Sequence, residues 1–90
     1  MTKPFRLPAR LDLAQAVPLV VRLRETEGDV EIDASEVRHM GALCVQALIA
    51  AARKAQAGGH RFEVTGVTDK VLEQMKVMGT SPEQMMEGAR

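Results

Sequence analysis

The sequence predicts a small α/β domain in which a mixed or parallel sheet of three to four strands carries its helices mainly on one face. Short segments that alternate between apolar and polar residues are separated by longer segments whose apolar residues recur every three or four positions. The connections between them are only a few residues long, and this order favours parallel strands joined by right-handed crossovers. Because the strand segments alternate instead of being continuously apolar, one sheet face should remain open.

Composition limits the domain count and the classes of function. The chain has 90 residues, which suits one domain over residues 1–90. Its 12 basic and 12 acidic side chains cancel, which argues against nucleic-acid binding, because that needs a basic face. No apolar run approaches the ~20 residues of a membrane span. We therefore expect no membrane insertion. A single cysteine rules out an intrachain disulfide, so we expect a reducing, cytoplasmic location.

Three segments are predicted strands because they alternate between apolar and polar residues. The first covers residues 5–7 and continues weakly to Leu11. The second covers residues 29–34 and the third covers residues 61–65. The inward side chains of the last two are Val30, Ile32, Ala34, Phe62 and Val64.

The first predicted helix follows Asp12. One face carries four apolar residues at helical spacing: Ala16, Leu19, Val20 and Leu23. Proline is tolerated in the first helical turn, where its missing N–H costs nothing, so Pro18 predicts a start between residues 14 and 17. Gly28 predicts the end of the helix.

The central helix is predicted over Ala42–Ala57, an alanine-rich run that ends at Gly58 and Gly59. Its inward stripe is Val45, Leu48, Ile49 and Ala52. The outward face carries almost no charge in its first half: Ala42, Leu43, Gln46, Ala47 and Ala50. Such a face is either covered by another element of the fold or left bare for a partner, and the pattern alone leaves both alternatives open.

The C-terminal part predicts a third helix and a short fourth one. Thr68 is the expected N-cap of the third helix, and Gly79 its end. The buried stripe of that helix is Val71, Leu72, Met75 and Met78. Ser81 followed by Pro82 has the pattern of a helix start, so residues 81–90 are predicted as a short helix to about Gly88 or a tail.

No set of residues predicts catalysis, a metal site or a cofactor. The only histidines are His39 and His60, and Cys44 is the only cysteine, whereas zinc sites need about four ligands. A nucleophilic cysteine needs a nearby base and an electropositive environment, while Cys44 lies in an apolar helix. We therefore expect a protein that is not an enzyme.

Four segments, in order, resemble the STAS domain, the family of anti-sigma-factor antagonists. LDLAQAVPLVVRL is similar to the family's first helix, and DVEIDASEV, with Asp33–Val37 at its end, to its central strand. GGHRFEVTGV resembles the next strand, and TDKVLEQMKVMG the helix that follows. The resemblance covers about Phe5 to Gly79 and implies the STAS fold.

The family has a signature loop that reads roughly IDSSGLG, and the resemblance implies that its key residues are replaced in this chain. Laid on the sequence, its isoleucine falls on Met40, its aspartate on Gly41 and its first serine on Ala42, with Leu43 and Cys44 after them. In regulated antagonists a partner kinase phosphorylates that first serine. The resemblance therefore implies that the switch is absent here. It gives Ser35, the nearest hydroxyl, a structural role in the turn after the strand.

The resemblance implies a non-catalytic interaction module. Its expected partner-binding residues lie in the loop before the central helix and on the helix's outward face: Arg38, His39, Gly41, Ala42, Leu43, Gln46 and Ala50. The segment Ile32–Cys44, which reads IDASEVRHMGALC, resembles a subgroup of short stand-alone STAS proteins associated with bacterial chemotaxis gene clusters. This resemblance implies a signalling kinase or a chemotaxis protein as the partner.

Three other functions remain open. STAS domains also serve as subunits of bacterial ABC complexes that transport lipids, where the partner is an ATPase. Other members bind small ligands or nucleotides, which requires a pocket with converging polar groups. The uncharged outer face could instead form a homodimer, and aspartate at Ala42 or Gln46 would then break it.

Overall fold

The computed structural model describes residues 5–87. The elements in chain order are β1 (Phe5–Arg6), β2 (Arg10–Leu11), α1 (Leu13–Glu25), β3 (Val30–Asp33), β4 (His39–Met40), α2 (Ala42–Ala57), β5 (Phe62–Thr65), α3 (Asp69–Val77) and α4 (Pro82–Met86). Strands β1, β3 and β5 form a parallel sheet in that order, and β2 pairs with β4 in a second parallel sheet. The predicted α/β class with parallel strands is confirmed.

One face of the three-stranded sheet is buried against the helices. In β3 and β5 every second side chain is buried, and these are Val30, Ile32, Phe62 and Val64. Their neighbours Glu31, Asp33 and Glu63 are only half-buried. The alternation read from the sequence therefore reflects one covered and one open face.

Helix α2 has the bounds that the sequence predicted. The four residues of its predicted stripe are all buried: Val45, Leu48, Ile49 and Ala52. Of the outward residues, Ala47 is half-buried against the core, whereas the other four are exposed: Ala42, Leu43, Gln46 and Ala50. Within residues 5–87, most of this uncharged face is therefore bare.

Helix α1 begins earlier than predicted. It starts at Leu13, so Pro18 lies inside the helix and the predicted start between residues 14 and 17 is wrong. Pro18 cannot donate to the carbonyl of Ala14, but both residues are exposed, so water can hydrate that carbonyl. The helix ends at Glu25, where the Thr26 hydroxyl donates to the Arg22 carbonyl at 2.8 Å.

The sequence also missed the second sheet. The weak continuation of the first strand to Leu11 is instead a separate two-residue strand, β2, which pairs with β4 and not with β3. Two residues are too few to show a period of two, so this pairing leaves no signal in the sequence.

Both C-terminal helices have the predicted caps. The Thr68 hydroxyl accepts from the N–H of Val71, and the Ser81 hydroxyl accepts from the N–H of Gln84 at 3.2 Å. Val71 and Met75 are fully buried, while Leu72 is 38% exposed and so lies at the edge of the predicted stripe. The predicted end of the fourth helix at about Gly88 lies outside the described residues.

Candidate functional site

Pairing of β2 with β4 brings the first turns of α1 and α2 together. The N–H of Gly41 donates to the carbonyl of Leu11 at 2.7 Å. The thiol of Cys44 donates to the carbonyl of Asp12 at 3.6 Å. At the other end of the two helices, the Lys54 ammonium donates to the carbonyl of Arg24 at 2.8 Å. The two helices therefore run side by side in the same direction.

A surface pocket of ≈ 250 Å³ lies between these two first turns. We call it the junction pocket, and its lining residues are Asp12, Leu13, His39, Gly41, Ala42, Leu43 and Cys44. Four of the seven expected partner-binding residues meet here. Leu13 and Leu43 are 73% and 56% exposed, so the pocket has an apolar rim open to solvent.

The remaining expected residues lie in two other places. Gln46 and Ala50 are one and two turns further along α2 from Ala42, on the same exposed ridge. Arg38 faces a separate cleft of ≈ 790 Å³, which Thr68 and Lys70 also line. The structure thus makes a continuous surface of the pocket and the α2 ridge, and places Arg38 beside it.

The loop before α2 is held by a side chain that sequence reasoning missed. Gln74 of α3 accepts from the N–H of Met40 at 2.8 Å and donates to the carbonyl of Arg38 at 3.2 Å. These two bonds fix the backbone on both sides of His39. The sequence prediction for α3 concerned only its apolar stripe, and Gln74 is a polar residue outside that stripe. Its role becomes visible only when α3 is placed beside β4.

Gly41 has little space for a side chain. A Cβ at this position would lie 3.0 Å from the carbonyl oxygen of Leu11, so that contact would have to widen. Glycine at this position therefore lets β2 approach closely. The carboxylate that lines this pocket comes from Asp12, which the sequence indicated only as the residue before a helix.

Asp12 is incompletely paired among the described residues. Its Oδ1 is buried without a hydrogen-bond partner, and its Oδ2 lies 3.8 Å from Nε of Arg10. It occupies the N-cap position of α1, yet its side chain makes no capping hydrogen bond. A carboxylate oxygen without a donor is a site at which a new donor would be stabilising.

Ser35 closes the turn after β3, as the resemblance implies. Its N–H donates to Oδ1 of Asp33 at 2.9 Å. Hydrogen bonds from the Ser35 hydroxyl and N–H hold the pKa of the Asp33 carboxyl below its usual value. The native turn therefore stabilises the charged form of Asp33, and this contribution is lost as pH falls through the lowered pKa.

Cys44 is expected to resist thiol reagents in the native protein. Its side chain is 1% exposed, and burial, together with the nearby Asp12 charge, raises the pKa of the thiol. Because the thiolate is the reactive form, iodoacetamide at neutral pH should modify native Cys44 at least ~100-fold more slowly than the unfolded chain. Mass spectrometry over a time course, with and without urea, measures both rates. Equal rates would show that the pocket opens readily to solvent.

Within the part of the chain that the structure describes, no group of three or more His, Cys, Asp or Glu side chains is placed to hold a metal ion. Over the same residues, no helix has both the length and the apolar character needed to cross a membrane.

The comparison with protein families gives one match. The family model described as "Mlab, STAS domain" matches residues 5–85, which is most of the chain. No curated protein and no solved structure gives a significant match. The parallel β-α-β order and the family match agree, and the chain belongs to the STAS domain family.

Proposed function

We propose that this protein is a non-catalytic module that binds a protein partner through the junction pocket and the adjoining ridge of α2. The observation that carries this proposal is an exposed, nearly uncharged surface at the start of α2, which includes Leu43 at 56% exposure. His39, Gly41 and Ala42 complete the pocket side, Gln46 and Ala50 extend the surface along the helix, and Arg38 borders it. Apolar surface of this kind is typical of interaction sites.

Binding at this surface is constitutive in the proposed mechanism. A phosphate on the first residue of α2 would add about −1.5 to −2 charge to an apolar contact. Ala42 has no hydroxyl and cannot receive it. Regulation of the complex therefore acts on the partner or on the amount of this protein.

The proposed partner is a cytoplasmic signalling kinase or a chemotaxis protein, and the support for it is the resemblance of Ile32–Cys44 to chemotaxis-associated STAS proteins. The family description favours a second candidate, because the Mlab name supports the lipid-transport branch of STAS domains. In that case the partner is the ATPase of an ABC complex. Both candidates use the same surface and differ in the protein that it binds.

Ala42→Asp is expected to weaken partner binding by about a hundredfold or more, because a carboxylate buried without a partner costs several kcal/mol. Aspartate is favourable in the first turn of a helix, so the substitution should not unfold α2. The measurement is a pull-down from the native cell lysate, read by mass spectrometry, followed by affinity measurement with the purified partner.

Ala57→Asp is the control for the added carboxylate, because Ala57 is an exposed alanine at the other end of the same helix, where the opposing helix dipole should cost only about 1 kcal/mol or less. It should retain the partner. Retention of a kinase or chemotaxis protein by the intact chain supports the first candidate, and an ABC ATPase supports the second. A partner held equally by Ala42→Asp would move the binding site away from this surface.

A further inference from the structure

Two basic side chains without acidic partners line the same surface cleft. The cleft of ≈ 790 Å³ lies between the loop that follows β3 and the start of α3, and we call it the Arg38 cleft. Arg38 comes from the loop and Lys70 from the first turn of α3, and both residues are exposed. Over residues 5–87, neither the Arg38 guanidinium nor the Lys70 ammonium makes an ion pair or a hydrogen bond. The fold of this chain therefore leaves both charges available for a partner.

We propose that the Arg38 cleft binds an acidic side chain of the protein partner, so that an aspartate or glutamate of the partner lies against Arg38 and Lys70. This inference rests on the proposed function, because Arg38 is followed directly by His39, which lines the junction pocket. A partner seated on the junction pocket therefore reaches the cleft beside it. Charges at the edge of an interface select the partner and speed its association.

The backbone of Arg38 is held at both its N–H and its carbonyl. The N–H donates to the carbonyl of Ala9 at 2.8 Å, and the carbonyl accepts from the side chain of Gln74 at 3.2 Å. Gln74 lies one turn after Lys70 on α3. This bond connects the loop that carries Arg38 to the helix that carries Lys70, so binding of a carboxylate has to order only two side chains.

The position of Lys70 is not explained by the stability of α3. The first turn is the positive end of a helix, where a cation is disfavoured and an anion is favoured. Asp69, in the same turn, has the favourable charge, but it is not among the residues that line the cleft. On the cleft side, the charge of Lys70 and the helix dipole therefore both attract an anion.

A single carboxylate fits this cleft better than a phosphate group. Glu36 also lines the cleft, and the Arg6 guanidinium, 3.9 Å away, offsets only part of its charge. The Thr68 hydroxyl donates to the carbonyl of Val37 at 3.4 Å, so its proton is already used within the fold. A phosphate monoester, with about −1.5 to −2 charge, would be repelled by Glu36 more strongly than a carboxylate would. The cleft is therefore suited to an aspartate or glutamate side chain.

The first experiment tests the cleft without the partner. The isotope-labelled chain is titrated with the peptide acetyl-Glu-Glu-Glu-amide, and its amide chemical shifts are recorded. The peptide acetyl-Gln-Gln-Gln-amide at the same ionic strength is the control. Only the acidic peptide should shift the amides of residues 35–38 and 68–71, with a dissociation constant on the order of 1–10 mM, because exposed ion pairs are weak.

Charge reversal at one end of α3 and at the other gives a matched pair of variants. Lys70→Glu should abolish these shifts, whereas Lys76→Glu, an exposed lysine in the last turn of the same helix, should retain them. The proposal would be overturned by an absence of shifts, by equal shifts with both peptides, or by shifts that Lys70→Glu leaves intact. Tighter binding of inorganic phosphate at the same residues would also overturn it and would make the cleft a phosphate site.

The second experiment uses the partner that the intact chain retains. Arg38→Glu and Lys70→Glu should each weaken the complex about tenfold at low salt, while Lys76→Glu and the conservative Lys70→Arg should not. The loss should become smaller between ~50 and ~500 mM salt, because salt screens exposed charges. An acidic residue of the partner changed to lysine should restore binding to Lys70→Glu.

The same measurements separate this inference from the proposed function. If Ala42→Asp loses the partner while Arg38→Glu and Lys70→Glu bind like the intact chain, the inference is wrong and the proposed surface stands. If Lys70→Glu loses the partner while Ala42→Asp retains it, the cleft is a binding site and the junction pocket is not.

Discussion

Leu48→Ala is expected to lower the free energy of unfolding by about 3–4 kcal/mol, the typical cost of removing a buried leucine and leaving a cavity. Leu48 is fully buried at the centre of the inward stripe of α2. The total stability of a domain of this size is typically ~5–15 kcal/mol, so the loss is a large share of it. The melting temperature should fall by about 12–30 °C. Urea denaturation followed by circular dichroism measures the change in the free energy of unfolding directly.

Leu43→Ala is the control for this prediction. It removes the same atoms from the same helix, but Leu43 is 56% exposed, so the free energy of unfolding should change by less than ~1 kcal/mol. The two leucines therefore separate the stabilising face of α2 from the face proposed for binding. Equal losses at both positions would mean that the face proposed as bare is covered in solution.

The sequence predicted those parts of the fold that repeat over many residues. Helix α2 has 16 residues, an alanine-rich composition and a glycine at its end, so periodicity and propensity agree on its bounds. In β3 and β5 one covered face produces an alternation long enough to recognise. Local capping chemistry at Thr68 and Ser81 was also readable, because each cap involves residues only three positions apart.

Features that depend on distant partners could not be predicted in this way. Strand β2 exists because residues 10 and 11 meet residues 39 and 40, which lie 29 positions away. Helix α1 runs through Pro18 although proline is locally preferred in a first turn, and the exposure of Pro18 and Ala14 lets water hydrate the carbonyl that Pro18 cannot bond. In both cases the tertiary environment decides what local propensity leaves undetermined.

The candidate site divides in the same manner. His39, Gly41, Ala42 and Leu43 are consecutive or nearly so, and the family resemblance indicated them together. The other contributors to the pocket and its loop come from α1 and α3, and they are Asp12, Leu13 and Gln74. They join the site only after the parallel β2–β4 pair and the packing of α3 have formed. The sequence motif therefore identifies the residues on the β4–α2 side of the pocket, whereas those on the α1 side become apparent only from the fold.

Gly66→Ala is expected to destabilise the protein by about 2–4 kcal/mol, for two reasons that add. Gly66 has φ +72°, a left-handed conformation that costs a residue with a Cβ roughly 1–2 kcal/mol. A Cβ at Gly66 would also lie 2.9 Å from Cβ of Ser35 and 3.1 Å from its N and Cα atoms. Since two of these three atoms belong to the backbone, side-chain rotation cannot relieve the contact. Urea denaturation measures the loss.

Gly59→Ala and Ser35→Gly separate the two causes. Gly59 has a similar φ of +76°, but a Cβ there would meet no atom within 4 Å, so alanine should cost only the conformational part. Ser35→Gly removes the closest of the three contacts, so the double variant with Gly66→Ala should be more stable than the sum of the single changes, by roughly 0.5–1 kcal/mol. Full additivity would show that the two turns do not touch. Coupling would show that the turn after β3 and the turn after β5 stabilise each other. Since the turn after β3 leads into the loop before α2, the packing of Gly66 would then also influence where the junction pocket lies.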